Sequence, residues 1–327
     1  MKFGLLLPTS CEGVYLPCSF ASAKDLGALA VAAEKVGFFS VWGNEFLTST
    51  PSMKISDPRQ PNFYELLSTL AYVAGLTSRV ELGTLTLSLP LRDPVILAKQ
   101  ISTLDAISGG RFILGVGLGA YRDEFEAVRP RQAPFDRGRM FLEYLEALRL
   151  LLSEDEVNFD GQYCQFSGVS LNPKPMRKPF PIYLAGTTSD TPRRVAQWGS
   201  GWLLSRTQKE SLRERIGKLS PWLEQAGRSR NEIDLVATRG VSIAPTSEEA
   251  WKQFNSSVLS GRTDGRTRES ILSQNLVGTS QEIAEQIVQL EEDGVDHLIA
   301  QHFAADTLEQ MNEQVEVFAK EVMPAFS

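Results

Sequence analysis

Short apolar runs alternate with segments of helical periodicity eight times along this chain of 327 residues. The apolar runs have the length and composition of buried strands, and each is followed by apolar residues at the spacing of an amphipathic helix. Eight strand-then-helix units predict an α/β fold, and specifically a (β/α)8 TIM barrel. The predicted strands are residues 3–7, 38–42, 80–89, 112–116, 181–185, 201–204, 233–244 and 297–301.

Two segments depart from this repeat. Residues 157–166, "VNFDGQYCQF", predict a hairpin that turns at Asp160-Gly161, and residues 279–293 predict an extra amphipathic helix. Such insertions explain why the chain exceeds the roughly 250 residues of a typical barrel. Because no linker-like stretch separates two halves, we expect one domain over residues 1–327.

The run "SGGRFILGVGLGAYRDEF", residues 108–125, raises the alternative of a dinucleotide-binding fold. That fold needs a helix directly after the glycines and an acidic residue at the end of the next strand. We expect Pro130 and Pro134 to prevent any helix before Asp136, and no strand follows to supply the carboxylate. The run therefore indicates the end of the fourth barrel strand, where glycines either admit a flat ligand or simply form a tight turn.

Composition excludes several classes of function. The net charge is -7 and the basic residues are scattered, which argues against nucleic-acid binding. No stretch approaches the ~20 apolar residues of a membrane span, and the start is too short and too soon broken by Pro8 for a signal peptide, so we expect a cytoplasmic protein. Three cysteines without a C-x-x-C pair and two histidines predict no metal site.

Several separated motifs together resemble the luciferase-like monooxygenase superfamily, which holds flavin-dependent monooxygenases and deazaflavin (coenzyme F-420) oxidoreductases. Besides the glycine run, they are "LGTLTLSLPLRDPVILAKQISTLDAISGG", "FDRGRMFLEYLEALRLLL" with "NPKP", and "VGTSQEIAEQIVQLEEDGVDHLI". The resemblance spans essentially the whole chain. It implies a bacterial luciferase-like TIM barrel with insertions that binds reduced FMN, or alternatively coenzyme F-420, at the carboxyl ends of the strands.

The loop after the fifth strand predicts a phosphate site. The strand ends at Ala185, and Gly186, Thr187 and Thr188 can donate hydrogen bonds to an anion where a helix begins. In the resembling family this loop holds the cofactor phosphate. The alternative is that Asp190 caps the helix, takes up the same donors and repels an anion, although two arginines follow it.

The resemblance also implies a pocket for the cofactor ring. It places a non-prolyl cis peptide at Leu85–Thr86, after the third strand, as a support for the isoalloxazine ring. Gly117 and Gly119 would form another part of this pocket, and Trp202, after the start of the sixth strand, is a candidate wall. The alternative for Trp202 is a tryptophan packed in the core.

Glu45 and His302 are the candidate catalytic residues. Members of the resembling family often have a histidine shortly after the glutamate that ends the second strand, but Phe46 follows Glu45 here. His302, at the end of the eighth strand, is the imidazole placed to replace it, with a neutral, hydrogen-bonded histidine as the alternative. Leu118 stands where bacterial luciferase has an arginine, so phosphate neutralisation must come from elsewhere.

Three functions remain open at this point. The first is an oxidoreductase that uses reduced FMN, or coenzyme F-420, on a small organic substrate. Tyr15, Phe20 and Met53, in the loops at residues 9–20 and 43–62 that would enclose the substrate, suggest that it is apolar. A separate flavin reductase and a homodimer are the expected partners by family precedent. The second is a flavin-binding barrel without turnover. The third is an unrelated barrel that binds a sugar phosphate.

Overall fold

The computed structural model describes residues 1–205, 210–262 and 267–326, and twelve strands lie in this part of the chain. In chain order they are β1 (Lys2–Leu7), β2 (Ser40–Gly43), β3 (Glu81–Thr84), β4 (Leu87–Ser88), β5 (Phe112–Gly117), β6 (Val157–Asp160), β7 (Gln165–Val169), β8 (Ile182–Ala185), β9 (Gly201–Leu204), β10 (Asp234–Ile243), β11 (Asn275–Gly278) and β12 (His297–Phe303).

Eight of these strands form a closed parallel barrel. Within the described residues, β1, β2, β3, β5, β8, β9, β10 and β12 pair in that order, and β12 pairs back with β1. The short β4 pairs with β5, β11 lies beside β10, and β6 and β7 form a separate antiparallel hairpin. The predicted barrel and the predicted hairpin are both confirmed.

Helices cover the outside of the barrel, and the main apolar core lies between the two layers. The α-helices of the described chain are α1 (Ala23–Val36), α2 (Leu66–Leu76), α3 (Pro94–Ser108), α4 (Arg122–Val128), α5 (Arg137–Ser153), α6 (Thr191–Trp198), α7 (Leu212–Gly217), α8 (Ser220–Gln225), α9 (Ser247–Ser256), α10 (Arg268–Leu272), α11 (Ser280–Glu292) and α12 (Leu308–Val317). A π-helical turn, Phe318–Val322, continues α12, and 3-10 turns occupy Pro51–Met53, Leu89–Leu91, Arg230–Glu232, Val258–Arg262 and Met323–Phe326.

Local capping accounts for several helix ends. The Asp136 carboxylate accepts hydrogen bonds from two backbone N–H groups at the start of α5. Thr279 and Glu282 form a capping box at the start of α11. Gly37 ends α1 with a φ of 99°, a left-handed conformation that favours glycine. These ends follow from residues close in sequence, which is why the periodic pattern predicts them well.

The expectation that no helix precedes Asp136 is wrong, because α4 forms directly after the glycine run. Pro130 and Pro134 lie beyond the last residue of α4, so they end the helix without preventing it. Asp123 and Glu124 in the first turn favour the helix through its dipole.

Two further elements differ from their predictions. The strand predicted over residues 80–89 is divided into β3 and β4, and the break between them contains a cis peptide at Leu85–Thr86. The helix expected after the sixth barrel strand is two short helices, α7 and α8.

Large side chains fill the interior of the barrel. Trp42 on β2 and Tyr183 on β8 meet across it, with ring centroids 6.1 Å apart. Gly83 makes room for this pair, since a Cβ at Gly83 would lie 2.1 Å from the Trp42 ring. The interior is therefore a packed core, and open space for a ligand lies beyond the strand ends.

A buried hydrogen-bonded chain lies below Trp42. Trp42 Nε1 donates to Ser40 Oγ over 2.7 Å, and Ser40 Oγ lies 2.9 Å from His297 Nε2. The donor of the Ser40–His297 hydrogen bond depends on the histidine tautomer, and burial favours the neutral imidazole. Its Nδ1 lies 3.6 Å from Asp234 Oδ2, which also accepts from the Tyr183 hydroxyl over 2.8 Å.

Burial lowers the pKa of His297, and the neighbouring Asp234 only partly opposes this effect. The unfolded chain therefore binds a proton at this residue at a higher pH than the folded chain does, so stability is lost as pH falls below about 6.5. Burial alone would raise the pKa of Asp234, but contact with His297 and the charge of Lys2 lower it to about 2. Its contribution is lost only below about pH 4.

We predict that His297→Gln removes part of the acid sensitivity of folding. The free energy of unfolding of the unsubstituted chain should fall by up to about 1.4 kcal/mol per pH unit from this residue below about pH 6.5, and the variant should lose that slope. Urea unfolding at several pH values between 7 and 4.5 measures it. Equal slopes for both proteins would contradict the neutral, buried state of His297.

Candidate functional site

The predicted site residues gather at one end of the barrel. Glu45 follows β2, the Leu85–Thr86 peptide follows β3, Gly117 ends β5, and Gly186 follows β8. Because the barrel strands are parallel, their carboxyl ends surround one opening. We call this opening, with the loops that follow these strands, the barrel mouth.

Three predicted cofactor residues are in close proximity at the barrel mouth. A Cβ added to Gly117 would lie 2.9 Å from Thr86 Oγ1 and 3.7 Å from the Ala185 Cβ. The predicted cis peptide at Leu85–Thr86 is present, in the break between β3 and β4. Packing against Thr86 therefore explains the glycine at position 117 without reference to a bound ligand.

Gly119 has a second reason to be glycine. Its φ is 83°, in the left-handed region, and a Cβ there would lie 3.2 Å from Ser88 Oγ. Ser88 itself pairs with Gly117 across β4 and β5. The two glycines thus pack the β3–β4 break against the end of β5, and both lie at the mouth as the sequence predicts.

The Asp190 carboxylate, after β8, does not take up the backbone donors at the start of α6. The Asp190 carboxylate makes no capping hydrogen bond to α6; instead it accepts from Arg193 Nε over 2.6 Å and Arg194 Nε over 2.7 Å. The alternative in which Asp190 takes up the helix donors is therefore wrong, because two guanidinium groups within one turn bind it more strongly. The hydrogen bonds from Arg193 lower the pKa of Asp190 and, with Arg194, offset its charge.

The structure does not bring Trp202 to the barrel mouth. Its neighbour Leu203 faces inward, since Leu203 Cδ1 lies 2.8 Å from the position of a Cβ on Gly115. Alternation along β9 places Trp202 on the outer face, where the buried Arg215 of α7 lies over its ring at 5.9 Å. The four residues of β9 are all buried, so the sequence carries no alternation that could reveal the inner face.

Glu45 lies in a buried ion pair. One carboxylate oxygen contacts Arg92 Nη2, and the other accepts from the Ser88 backbone N–H over 2.8 Å. Burial raises the pKa of Glu45, while Arg92 and the Ser88 hydrogen bond oppose that rise. A carboxylate held in this way fixes the Ser88 backbone close to the cis peptide, which is a positioning role, and the catalytic role of Glu45 stays a prediction.

Glu124 is a buried residue of the mouth that the sequence analysis missed. It is 1% exposed, and its carboxylate accepts from the Leu47 backbone N–H over 2.7 Å. Burial raises the pKa of Glu124, and the nearby charge of Glu45 adds to the rise. Glu124 lies in the first turn of α4, and because the sequence pattern did not predict this helix, it did not identify Glu124 as a residue of the mouth.

A polar network joins the first two loops of the mouth. Asn44, after β2, accepts from Thr9 Oγ1 at its backbone carbonyl over 2.7 Å and donates through Nδ2 to the Ser10 carbonyl over 2.9 Å. Cys11 lies beside the same amide, and burial raises its thiol pKa to about 12, which makes it a poor nucleophile.

His302, the other candidate catalytic residue, lies near the end of β12. It is 2% exposed and its ring stacks on Tyr15, with centroids 4.1 Å apart and planes 15° from parallel.

Among the residues described, none of the helices is both long and apolar enough to cross a membrane. No three His, Cys, Asp or Glu side chains in the same ranges are grouped to hold a metal ion.

Comparison with known proteins gives a consistent family assignment. A family model described as luciferase-like monooxygenase matches residues 1–297. An FMNH2-dependent dimethylsulfone monooxygenase from Pseudomonas putida is 27% identical over 262 residues, which cover 71% of this chain and 70% of that protein. An F-420-dependent glucose-6-phosphate dehydrogenase from Kineococcus radiotolerans is 30% identical over 224 residues, covering 66% of this chain and 62% of that protein.

The fold likeness extends to solved structures. A monooxygenase from Streptomyces bottropensis is 24% identical, covers 100% of both chains and superposes with a TM-score of 0.79.

We predict that Glu45→Gln destabilises the fold. It leaves Arg92, whose side chain is 13% exposed, without its buried partner, and we expect a loss of about 3 kcal/mol in the free energy of unfolding. Glu65→Gln is the matched control, because Glu65 also contacts Arg92 but is 39% exposed, so its loss should be below about 1 kcal/mol. Urea unfolding measures both variants. Equal losses would contradict the positioning role of Glu45.

Proposed function

Because the chain belongs to the luciferase-like monooxygenase family, we propose that it is an oxidoreductase that uses reduced FMN and O2 to oxidise a small, apolar organic substrate. One observation carries this proposal: Thr86, Gly117 and Ala185 meet at the barrel mouth, beside a loop and helix start suited to a phosphate. FMN needs both surfaces, one for a flat ring and one for a dianion.

The residues present fit FMN in two respects. The ring would be bordered by Leu85, Thr86, Gly117 and Gly119. The two glycines have no side chain that would obstruct it. At the second surface, Gly186, Thr187 and Thr188 would donate to the phosphate, with α6 directing its positive end toward it. The partners of Asp190 support this second role, because they leave those donors free of an internal carboxylate.

Reduced FMN would supply the two electrons of the reaction, and the chain's own residues would bind, orient and exclude water. Glu45 would act at a distance, by holding the Ser88 backbone and hence the ring support. His302 would exchange a proton with the reacting groups, since its imidazole lies at the mouth.

An apolar substrate is supported by the lining of the mouth loops. Val14, Phe46 and Met53 form a buried apolar cluster, separate from the main core. Phe46, at the position where the resembling family often has a histidine, packs on Phe63 and Tyr121 with ring centroids 5.7 and 5.5 Å away. A ligand that enters between these loops would meet hydrocarbon side chains, which favours an apolar substrate and disfavours a charged one.

A second candidate function is hydride transfer with coenzyme F-420. The relative from Kineococcus radiotolerans, described as F-420-dependent, matches this chain at an identity similar to that of the FMNH2-dependent relative. Both cofactors carry a flat tricyclic ring and a phosphate, so the same two surfaces would serve either. Free reduced FMN would require a separate flavin reductase as a partner, whereas coenzyme F-420 would not.

We further propose that the protein is a homodimer. Tyr72 and Leu76 on α2, and Ile96 and Ile107 on α3, are exposed large apolar side chains on two helices that pack side by side. A second copy of the chain is the partner that would cover them.

We predict that two glycine substitutions separate the ring surface from the phosphate surface. Gly186→Ala brings a Cβ within 2.6 Å of Thr191 Oγ1 and should weaken FMN binding about tenfold while leaving riboflavin binding unchanged. Gly117→Ala displaces Thr86 and should weaken both ligands about equally. Fluorescence titration of the full chain with FMN, riboflavin and coenzyme F-420 measures the affinities.

Gly217→Ala is the control, because a Cβ there meets nothing within 4 Å and should leave every affinity unchanged. Tighter binding of coenzyme F-420 than of FMN would select the second candidate function. Binding of neither cofactor by the unsubstituted chain would overturn both, and binding without oxidation of any donor would indicate a flavin-binding barrel.

We predict that Ile96→Glu combined with Ile107→Glu converts the dimer to a monomer, since two buried charges would oppose association. Val288→Glu, at another exposed apolar position, on α11, should leave the dimer intact. Light scattering after size-exclusion chromatography measures the mass. A monomeric unsubstituted chain would contradict the dimer.

A further inference from the structure

The last barrel strand contains one extra residue just before His302. Arg239 pairs with Ala300, but the next residue, Gly240, pairs with His302, so Gln301 has no residue opposite it on β10. Side chains alternate between the two faces of a strand, and one inserted residue reverses the alternation beyond it. The irregularity therefore decides which face of the barrel His302 occupies.

Contacts on either side of the irregularity establish this reversal. His297, before it, faces the interior, where its ring lies 5.8 Å from the Trp42 ring. With regular alternation His302 would then face outward. Instead Phe303 is the outward residue, because its ring contacts Phe318 of the surrounding helical layer at 6.4 Å. His302 consequently faces inward at the mouth, in the position where a proton-transferring group is useful.

Tyr15 covers the inward-facing imidazole and is itself held firmly. Its backbone N–H donates to the Cys11 carbonyl over 2.8 Å, within a tight turn of the loop after β1. The buried Glu12 carboxylate fixes this loop by accepting the backbone N–H groups of Phe20 and Asn62, each over 2.9 Å. A ring mounted on such a turn has little freedom to move away from His302.

The stack constrains the imidazole in one orientation. With centroids 4.1 Å apart and planes 15° from parallel, the His302 ring cannot rotate about its Cβ–Cγ bond without breaking contact with Tyr15. A proton donor that must be correctly aimed gains from this restriction.

We propose that Tyr15 is the positioning residue for His302, and that His302 is the proton donor when O2 is reduced at the barrel mouth. The assignment rests on the proposed use of reduced FMN. His302 would donate the proton that completes the reduction: one imidazolium N–H bond breaks and an O–H bond forms on the O2 being reduced. Reduced FMN, when bound, would supply the two electrons and the other proton, so that without an organic substrate the products would be oxidised FMN and hydrogen peroxide. Water then returns the proton to the imidazole.

The stack is tested first in the full chain without cofactor, by NMR of histidine labelled in the ring. The chain has two histidines, so His302→Gln assigns the spectrum. Tyr15→Ala should shift the His302 ring protons downfield and increase the mobility of the ring, whereas Tyr15→Phe should preserve both. The His297 signals should stay unmoved in both Tyr15 variants. Unchanged His302 signals in Tyr15→Ala would overturn the proposal.

The function is then tested by stopped-flow oxidation of enzyme-bound reduced FMN by O2. We expect His302→Gln to slow it about 100-fold, Tyr15→Ala about tenfold, and Tyr15→Phe to restore the rate to within about twofold. Failure of the unsubstituted chain to bind reduced FMN would overturn the proposed function while the NMR result still stands. Normal oxidation by His302→Gln, or by Tyr15→Ala despite a lost stack, would overturn the present inference alone.

Discussion

The pairing of β12 with β1 closes the barrel, and the arrangement of the site depends on that closure. Each barrel strand is hydrogen-bonded on both sides, and all eight pair in parallel, so their carboxyl ends surround one opening. Residues as far apart in sequence as Tyr15 and His302 therefore meet at the same place. Trp42 and Tyr183 fill the interior below, which confines any ligand to the mouth.

Buried carboxylates at the mouth accept hydrogen bonds from backbone N–H groups of the loops. Glu12 binds N–H groups of its own loop and of the loop after β2, Glu45 binds the N–H of Ser88, and Glu124 binds that of Leu47. An ionised carboxylate in a poorly solvated place must find donors, and the loops supply them. The loops are thereby tied to one another around the barrel mouth.

The glycines of the run that ends β5 show how one pattern can serve different purposes. Their spacing resembles a dinucleotide fingerprint, yet a Cβ at Gly117 would meet the Thr86 side chain, and Gly119 has a left-handed φ and lies close to the Ser88 side chain. Thr86 lies in the break between β3 and β4, and Ser88 lies in β4. The proposed phosphate surface lies elsewhere, after β8.

The sequence by itself determined the eight units, the inserted hairpin and the helix caps such as Asp136, because each depends on residues within a few positions of one another. Motif resemblance predicted the cis peptide at Leu85–Thr86. Only the tertiary structure decided that Trp202 faces outward, that Glu45 is bound by Arg92, and that His302 faces inward. The face of a strand on which a side chain lies follows from the strand register, and one unpaired residue reverses that face. Ion pairs such as Glu45–Arg92 join residues from different strand-helix units. The local sequence pattern predicts neither the register nor the ion pairs.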